Sequence, residues 1–342
     1  METIILLRPD DWHVHLRDGS FLEHTVPATA MHFNRALVMP NLKPALTSVT
    51  SIKNYRDQIL KFVPAGSTFT PCMTLYLNNQ VDPEDLKKIK QIGGLGGKLY
   101  PANATTNAEA GPASLKELYA LFDIMQSEDL VLQVHGEVAE GDIFEREEAF
   151  VKTALPQLLR DFPRLRIVLE HISTQAAVDF VKESPERLAA TITPQHLWYH
   201  RNHLLAGGVR PHYYCLPILK HERDQKALQM AATSGNPKFF AGTDSAPHAL
   251  HQKESACGCA GIFSAPYAVA LYAHIFDSLD GLENFERFMS RFGADFYQLP
   301  YNQTYLTLRK QSQTIPETLP FGKSSVVPMG AGTPVAWSVV EN

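Results

Sequence analysis

Residues 11–19 read DWHVHLRDG, and this stretch is the starting point for predicting the fold. The apolar run at residues 12–16 is typical of a short buried strand, and His13 and His15 stand two positions apart within it. Because successive side chains of a strand point to opposite faces, both imidazoles project from the same face. The sequence therefore predicts a strand that presents two histidines side by side.

Further short apolar or β-branched runs follow along the chain, separated by longer segments with helical periodicity. The strand candidates are residues 12–16, 36–39, 68–75, 97–100, 131–134, 167–169, 190–193 and 239–241. The helix candidates include residues 49–62, 83–92, 114–127, 144–160, 174–183 and 221–234. Alternating strands and helices predict an α/β fold with a parallel sheet. Eight strands favour a closed (β/α)8 TIM barrel, whereas fewer would suit an open doubly wound sheet.

The chain has 342 residues, a length that suits either two ordinary domains or one barrel. No Gly/Ser-rich or charge-run linker divides it, and no internal repeat is visible. We therefore predict one domain over residues 1–342. Its barrel core spans about residues 8–298, and a C-terminal tail at 299–342 packs on the barrel.

The composition argues against several classes of partner and location. With 31 Lys+Arg against 36 Asp+Glu, the chain has no basic surplus for nucleic acid or for a membrane surface. The N-terminus lacks a signal-peptide pattern, and the longest apolar segment, near residues 265–276, is interrupted by His274. The four cysteines are expected to be free thiols. A cytoplasmic protein is the expectation.

Polar residues stand at the C-terminal ends of several predicted strands: Lys98, His135, His171 and Asp244. In a barrel these side chains converge with His13 and His15 on the mouth where active sites are built. Imidazole and carboxylate groups are good zinc ligands, and five of them exceed what one tetrahedral ion needs. A lysine ammonium cannot bind a metal, but a buried, neutral Lys98 could add CO₂ to form a carbamate that bridges two ions.

Simpler roles exist for each of these residues. A histidine at a strand end can be satisfied by core hydrogen bonds, and an aspartate after a strand is often a helix N-cap. A second cluster, His196, His200 and His203, lacks the glutamate that a zinc helix of the H-E-x-x-H type requires. We interpret that cluster as loop or supporting histidines.

A series of motifs resembles the amidohydrolase superfamily, and within it the compact, stand-alone bacterial dihydroorotases. In order over about residues 10–265 they are DWHVHLRDG, MPNLKP, KLYPANATTN, QVHGE, LEHIST, TPQHL, CLPILK, GTDSAPH and CGCAG. The resemblance implies a zinc-dependent amidohydrolase barrel and a homodimer. It also implies the reversible cyclisation of N-carbamoyl-L-aspartate to L-dihydroorotate in de novo pyrimidine biosynthesis.

The resemblance also implies roles for individual residues. Two Zn²⁺ ions would be bridged by carboxylated Lys98 (N6-carboxylysine) and by a hydroxide that acts as the nucleophile. The more buried ion would be held by His13, His15 and Asp244, and the more exposed ion by His135 and His171. Asp244 would also serve as the general acid and base.

The substrate contacts that the resemblance implies come from several loops. Arg17, Asn41 and His248 would grip the α-carboxylate, although a surface salt bridge of Arg17 with Asp18, a turn role for Asn41 and a solvent-facing His248 are the simpler readings. Backbone groups of two further residues would read the ring amides, and two loop threonines would close over the substrate. These four are Leu216, Ala260, Thr105 and Thr106.

Two other functions remain open. A different cyclic-amide hydrolase, of the hydantoinase or allantoinase kind, would share the metal ligands and differ in the carboxylate-binding set. An inactive homologue that acts as an assembly partner would be expected to have lost ligands, yet all six predicted ligands are present.

Overall fold

Eight parallel strands form the centre of the computed structural model, which describes residues 2–340. Strand β1 (Thr3–Leu7) precedes them, and they pair in chain order. They are β2 (Asp10–Val14), β3 (Arg35–Val38), β4 (Thr70–Tyr76), β5 (Gly94–Leu99), β6 (Val131–His135), β7 (Ile167–Glu170), β8 (Leu188–Ile192) and β9 (Phe239–Ala241). An isolated parallel bridge between Val14 and Ser245 joins the first of the eight to the chain that follows the last. The predicted (β/α)8 barrel is confirmed, with each strand within a few residues of its expected place.

Helices follow the strands and cover the barrel. They are α1 (Leu22–Ala30), α2 (Val49–Leu60), α3 (Pro83–Lys88), α4 (Tyr119–Ser127), α5 (Arg146–Asp161), α6 (Gln175–Glu183), α7 (Pro194–Trp198), α8 (Arg201–Leu205), α9 (Glu222–Thr233), α10 (Leu250–Lys253), α11 (Ala268–Ser278) and α12 (Phe292–Tyr297). Helix α3 shows how the local sequence sets a helix start. The Asp82 side chain caps it by accepting a hydrogen bond of 2.9 Å from the Glu84 backbone amide, and Pro83 lies in the first turn. The six predicted helices are present, two of them in part as 3₁₀ turns.

The N-terminal end of the barrel is filled by side chains. Trp12 stacks on Tyr297 with ring centroids 4.5 Å apart, and the Arg35 guanidinium lies 5.8 Å from the Trp12 ring centroid. Arg35 also donates from Nε to Asp10 Oδ1 at 2.9 Å. Because this end is packed shut, the C-terminal ends of the strands form the accessible mouth.

The last part of the chain forms small antiparallel sheets. Its strands are β10 (Tyr305–Arg309), β11 (Gln313–Thr314), β12 (Leu319–Phe321), β13 (Ser324–Val326), β14 (Pro334–Val335) and β15 (Ser338–Val340). Strand β10 pairs with β1 on one side and with β15 on the other, so the two ends of the chain share a sheet. Leu308 and Trp337 are fully buried there. The ends of the predicted domain, residues 1 and 341–342, lie outside the described residues.

Across residues 2–340, every helix is too short or too polar to span a lipid bilayer.

Candidate metal centre and substrate cavity

The first predicted metal-binding group is brought together at the barrel mouth. His13 lies in β2, His15 follows it, and Asp244 stands three residues beyond the end of β9. The His13 and His15 Nε2 atoms are 3.3 Å apart, and Asp244 Oδ1 lies 3.4 Å from the former and 3.1 Å from the latter. Three donor atoms that face one another in this way could hold one cation.

The second predicted pair lies beside the first. His135 ends β6 and His171 follows β7, and His135 Nδ1 is 3.2 Å from His171 Nε2. The His171 ring is 4.9 Å from the His13 ring, centroid to centroid. The structure thus places the five predicted imidazole and carboxylate donors at one point of the barrel mouth.

Lys98 is fully buried in β5 near these groups. Among the described residues its Nζ has no hydrogen-bond partner, and it lies 5.1 Å from the centroid of the Tyr100 ring. Burial lowers the pKa of Lys98 to about 8, and this outweighs the carboxylates of Glu170 and Asp244, which act in the opposite direction. A buried amine without a partner is rare in proteins. This orphaned atom and the converging donors fit a metal centre with a modified lysine.

Two buried carboxylates that the sequence analysis did not single out hold the imidazoles from behind. Glu170 Oε2 lies 2.5 Å from His13 Nδ1, and Glu137 Oε2 lies 2.8 Å from His135 Nε2. Burial raises the pKa of Glu170 to about 8. Such contacts fix the ring orientation and leave the other nitrogen facing the cavity. Both could have been suspected from their positions in the sequence, because Glu170 directly precedes His171 and Glu137 follows His135 by two residues.

Asp11 is another buried carboxylate that the sequence analysis left unassigned. Its Oδ1 accepts from the backbone amides of His13 and Thr243, at 3.2 and 2.8 Å, and its Oδ2 accepts from the Thr243 hydroxyl at 2.6 Å. These bonds tie β2 to the segment that carries Asp244. Asp11 lies two residues before His13, on the same face of the strand, so its position could have been inferred from strand periodicity.

Three site residues adopt the left-handed backbone region that residues other than glycine seldom occupy. The φ angles are 61° at Arg17, 42° at His171 and 45° at Asp244. The His171 amide is held by the Thr191 hydroxyl at 2.6 Å, and the Asp244 amide by the His13 carbonyl at 2.8 Å. Strained backbone of this kind clusters at functional sites because the surrounding structure enforces it.

One cavity of about 30 Å³ adjoins both groups of donors. It is lined by the five donor residues and by six predicted substrate residues, Arg17, Asn41, Thr105, Thr106, Leu216 and Ala260. Tyr100, Ala246 and Gly261 also line it and were not predicted. The space holds no more than a few water molecules, so a substrate must displace part of the lining.

Arg17 is anchored by neighbours from the loop after β9. Its Nε donates to the Pro247 carbonyl at 2.9 Å, and its Nη2 contacts His248 Nε2 at 2.9 Å. His248 Nε2 is also 3.0 Å from the Ala260 carbonyl. Within residues 2–340 Arg17 forms no ion pair with Asp18, and His248 is partly buried, so their simpler interpretations fail.

Asn41 joins the cavity wall to the segment at residues 101–112. Its side-chain amide donates to the Thr106 backbone carbonyl at 3.0 Å, and the side-chain amide of Asn107 donates to the Asn41 backbone carbonyl at 2.9 Å. This reciprocal pair holds Thr105 and Thr106 against the cavity. Asn41 therefore does more than complete a turn after Pro40.

The second histidine cluster lies outside the metal centre. His196 is buried, with its ring nitrogens 2.8 Å from the Thr193 hydroxyl and 2.9 Å from the Pro217 carbonyl. His200 and His203 pack against each other with ring centroids 4.5 Å apart. His196 lies in α7, His203 lies in α8 and His200 directly precedes α8, so these residues belong to short helices within the segment that was expected to be a loop. The four cysteines are free, as predicted.

Comparison with known proteins places the chain in a family. The Amidohydrolase family model matches residues 4–303. A dihydroorotase of Coxiella burnetii (strain RSA 331 / Henzerling II) is 55% identical over 342 residues, which cover 99% of this chain and 98% of that protein. The crystal structure of a Campylobacter jejuni dihydroorotase is similar with a TM-score of 0.92 and 35% identity, covering 99% of this chain and 98% of that one. A Saccharomyces cerevisiae dihydroorotase in complex with 5-fluoroorotic acid is similar with a TM-score of 0.91 and 34% identity, covering 99% of each chain.

The sequence motifs, the barrel and these full-length matches agree, and the chain belongs to the amidohydrolase family, within its dihydroorotase group.

Proposed function

We propose that this protein is a dihydroorotase that interconverts N-carbamoyl-L-aspartate and L-dihydroorotate. One observation carries the proposal: an anchored arginine, Arg17, lines the same small cavity as five potential metal ligands. Both substrates are carboxylates, and a guanidinium fork is well suited to bind a carboxylate by two hydrogen bonds. The full-length relatives named dihydroorotase support the same activity.

The donor set fits two Zn²⁺ ions. His13, His15 and Asp244 would hold one ion, His135 and His171 the other, and a carbamate on Lys98 would lie between them. When bound, the ions supply a hydroxide nucleophile at neutral pH and a Lewis acid for the ring carbonyl.

Asp244 is the proposed acid and base. Asp244 lines the cavity and is only 6% exposed, so it is shielded from bulk water. In the hydrolytic direction it would take the proton of the attacking oxygen and deliver it to the ring nitrogen as the C–N bond breaks. In the cyclisation direction the same carboxylate would take the proton from the carbamoyl N–H as the nitrogen attacks the side-chain carboxylate carbon, and would return it to the carboxylate oxygen that leaves as hydroxide.

The other residues that line the cavity would orient the substrate, together with His248, which does not line the cavity and contacts Arg17 from behind. Arg17 would pair with the α-carboxylate together with Asn41 and His248, and the main chain at Leu216 and Ala260 would contact the ring amides. Thr105 and Thr106 would close the cavity over the bound ring and exclude water. Correct placement of the carbonyl against the nucleophile lowers the barrier by reducing the entropy lost in the reaction.

The alternative of a hydantoinase- or allantoinase-like hydrolase needs no cationic site for a substrate carboxylate, and the anchored Arg17 argues against it. The alternative of an inactive assembly partner is disfavoured because the six predicted ligands and the carboxylate site are all present. On the basis of the family resemblance we further propose that the protein is cytoplasmic and forms a homodimer. Light scattering of the purified protein, which measures its molar mass in solution, would test the dimer.

The test compares substrates and two arginine variants. Arg17→Met should lose about 2–3 kcal/mol of substrate binding, because a charged hydrogen-bond pair is left half-made. Arg187→Met is the matched control, since Arg187 also donates to carbonyl groups, from Nη2 to Leu159 at 2.6 Å and from Nη1 to Phe162 at 3.2 Å, but lies outside the cavity.

Steady-state kinetics on L-dihydroorotate should show a strongly raised KM for Arg17→Met and little change for Arg187→Met. Turnover of an uncharged hydantoin by the wild-type protein, with none of L-dihydroorotate, would overturn the proposed function.

A further inference from the structure

Lys253 is a buried lysine with no role in the metal centre. It ends α10, within the same segment that carries Asp244 and His248, and it is only 4% exposed. Its ammonium donates to the Tyr214 carbonyl at 2.8 Å and to the Gly261 carbonyl at 2.7 Å. Two carbonyl groups from distant parts of the chain therefore share one cation.

These two carbonyls belong to the segments that line the substrate cavity. Tyr214 stands two residues before Leu216, and Gly261 directly follows Ala260. The Gly261 amide also donates to the Tyr214 carbonyl, at 2.9 Å. The ammonium and this backbone bond together clamp the segment that follows β8 to the segment that follows β9.

The backbone at Gly261 is closely packed in this clamp, by which we mean the contacts among Lys253, Tyr214 and Gly261. The φ of Gly261 is 144°, and a Cβ built there would lie 2.3 Å from the Ala246 carbonyl oxygen. Ala246 lines the cavity as well. A small shift of this backbone would therefore be transmitted to the cavity wall.

The clamp also reaches the carboxylate site. The Ala260 carbonyl contacts His248 Nε2 at 3.0 Å, and His248 contacts Arg17 Nη2 at 2.9 Å. A continuous set of contacts therefore runs from Lys253 through Gly261 and Ala260 to the guanidinium that faces the cavity.

Fold stability alone does not account for a cation at this position. Within residues 2–340 no carboxylate forms an ion pair with Lys253, and burying an ammonium without a counter-ion costs free energy. Burial lowers the pKa of Lys253 to about 8, so most of the population keeps its charge at neutral pH. Two carbonyl bonds and the Tyr214 ring, whose centroid is 5.9 Å from Nζ, are the contacts that stabilise this charge, and all of them come from the segments that border the cavity.

We propose that Lys253 is a positioning residue that fixes the main chain at Leu216 and Ala260 and thereby sets the affinity for the substrate ring. This inference rests on the proposed function, because that function assigns ring recognition to those two residues. Lys253 itself touches no reacting group.

The test uses Lys253→Met, which keeps the length and packing of the side chain and removes the ammonium. Lys238→Met is the control. Lys238 is also a buried lysine, 7% exposed, and donates to the carbonyls of Val181, Lys182 and Ser184 near the end of α6. It differs from Lys253 in that it also forms an ion pair with the exposed Glu186 carboxylate at 3.3 Å, and it lies away from the cavity. Each purified variant is assayed for melting temperature, bound metal, and kcat and KM on L-dihydroorotate.

For Lys253→Met we expect KM to rise about tenfold or more while kcat stays within about threefold, since ground-state and transition-state contacts to the ring weaken alike. Lys238→Met should lower the melting temperature and leave KM within about twofold. A KM for Lys253→Met equal to that of the control would overturn the proposal.

Lys253→Gln provides a second variant if the methionine variant does not fold, and the same KM criterion applies to it. If both Lys253 variants fail to fold while Lys238→Met folds, the residue serves the fold and the proposal is wrong. Failure of the wild-type protein to turn over L-dihydroorotate would instead refute the proposed function, so the two failures are distinguishable.

Discussion

At the scale of single residues, Asp244 is held by several constraints at once. Its backbone is in the left-handed region, its carboxylate faces two imidazoles, and little of it is exposed. These contacts hold the carboxylate in one position, as the proposed proton transfer requires, and they offset the cost of the backbone strain.

Replacing Asp244 tests its proposed role as acid and base. Asp244→Asn retains a side-chain oxygen and removes the proton acceptor, so kcat should fall by about 10²–10⁴-fold. Metal analysis of the same sample separates loss of the base from loss of a ligand. A kcat near that of the wild type, with metal content unchanged, would exclude the role.

Lys98 is the second residue whose chemistry can be tested alone. Lys98→Ala should bind less metal, because the proposed bridge is gone, and added acetate or propionate should restore part of the metal content and activity. The control is the wild-type protein with the same carboxylates, for which no gain is expected. A variant that retains two ions per chain without any added carboxylate would disprove the bridging role.

At the scale of elements, the strands were predictable and the loops between them were not. The strand candidates were right because each is a short run rich in apolar or β-branched residues, and several have a polar residue at or near the C-terminal end, as at Lys98 and His135. Helices α1, α7, α8, α10, α11 and α12 were not among the helices named from the sequence, and all of them except α1 and α11 are six residues long or shorter. Helix α1 contains Pro27, and α11 is buried over most of its surface, so neither has clear amphipathic periodicity.

The residues of the candidate site could be predicted from the sequence, but their spatial arrangement could not. Strand periodicity and the family resemblance identified the donor residues that the structure brings together. The supporting carboxylates Glu170 and Asp11 and the positive φ angles depend on tertiary packing, which one sequence does not reveal. The two hydrogen bonds that join Asn41 to Thr106 and Asn107, called the clasp below, link parts of the chain that are about 65 residues apart.

A matched pair of asparagines in the segment at residues 101–112 tests the clasp. Asn107→Gly removes the side-chain amide that donates to the Asn41 carbonyl. Glycine is chosen because residue 107 has a φ of 55°, which glycine adopts without strain. Loss of one hydrogen bond, about 1 kcal/mol, should raise KM about fivefold and speed amide hydrogen exchange at residues 103–108.

Asn103→Gly is the control for this comparison. Asn103 also has a positive φ, 61°, but its side chain is exposed, so the substitution should change KM little. Equal effects of the two substitutions would show that the clasp does not hold the segment.

At the scale of the whole molecule, the two ends of the chain are joined through β1 and β10, which lie on the outside of the barrel. Trp337 donates to Asp277 of α11 at 3.1 Å, which ties the last strands to a buried helix. We therefore propose that the tail unfolds together with the barrel as one domain.

Two substitutions on β10 test this coupling. Leu308 is fully buried, so Leu308→Ala should cost about 2–5 kcal/mol and lower the midpoint of the entire unfolding transition. Tyr305 on the same strand is 57% exposed, and Tyr305→Ala should shift the midpoint little. Far-UV circular dichroism and tryptophan fluorescence should report coincident transitions. A separate early step for the tail would contradict the single-domain proposal.

We propose that this barrel mouth holds two zinc ions and interconverts L-dihydroorotate and N-carbamoyl-L-aspartate. The most direct measurement combines metal analysis with an L-dihydroorotate assay in both directions on one preparation, before and after chelation. We predict two zinc ions per chain, loss of activity on chelation, and recovery when zinc is returned. Full activity of the metal-free protein, or no activity with two ions bound, would contradict the account.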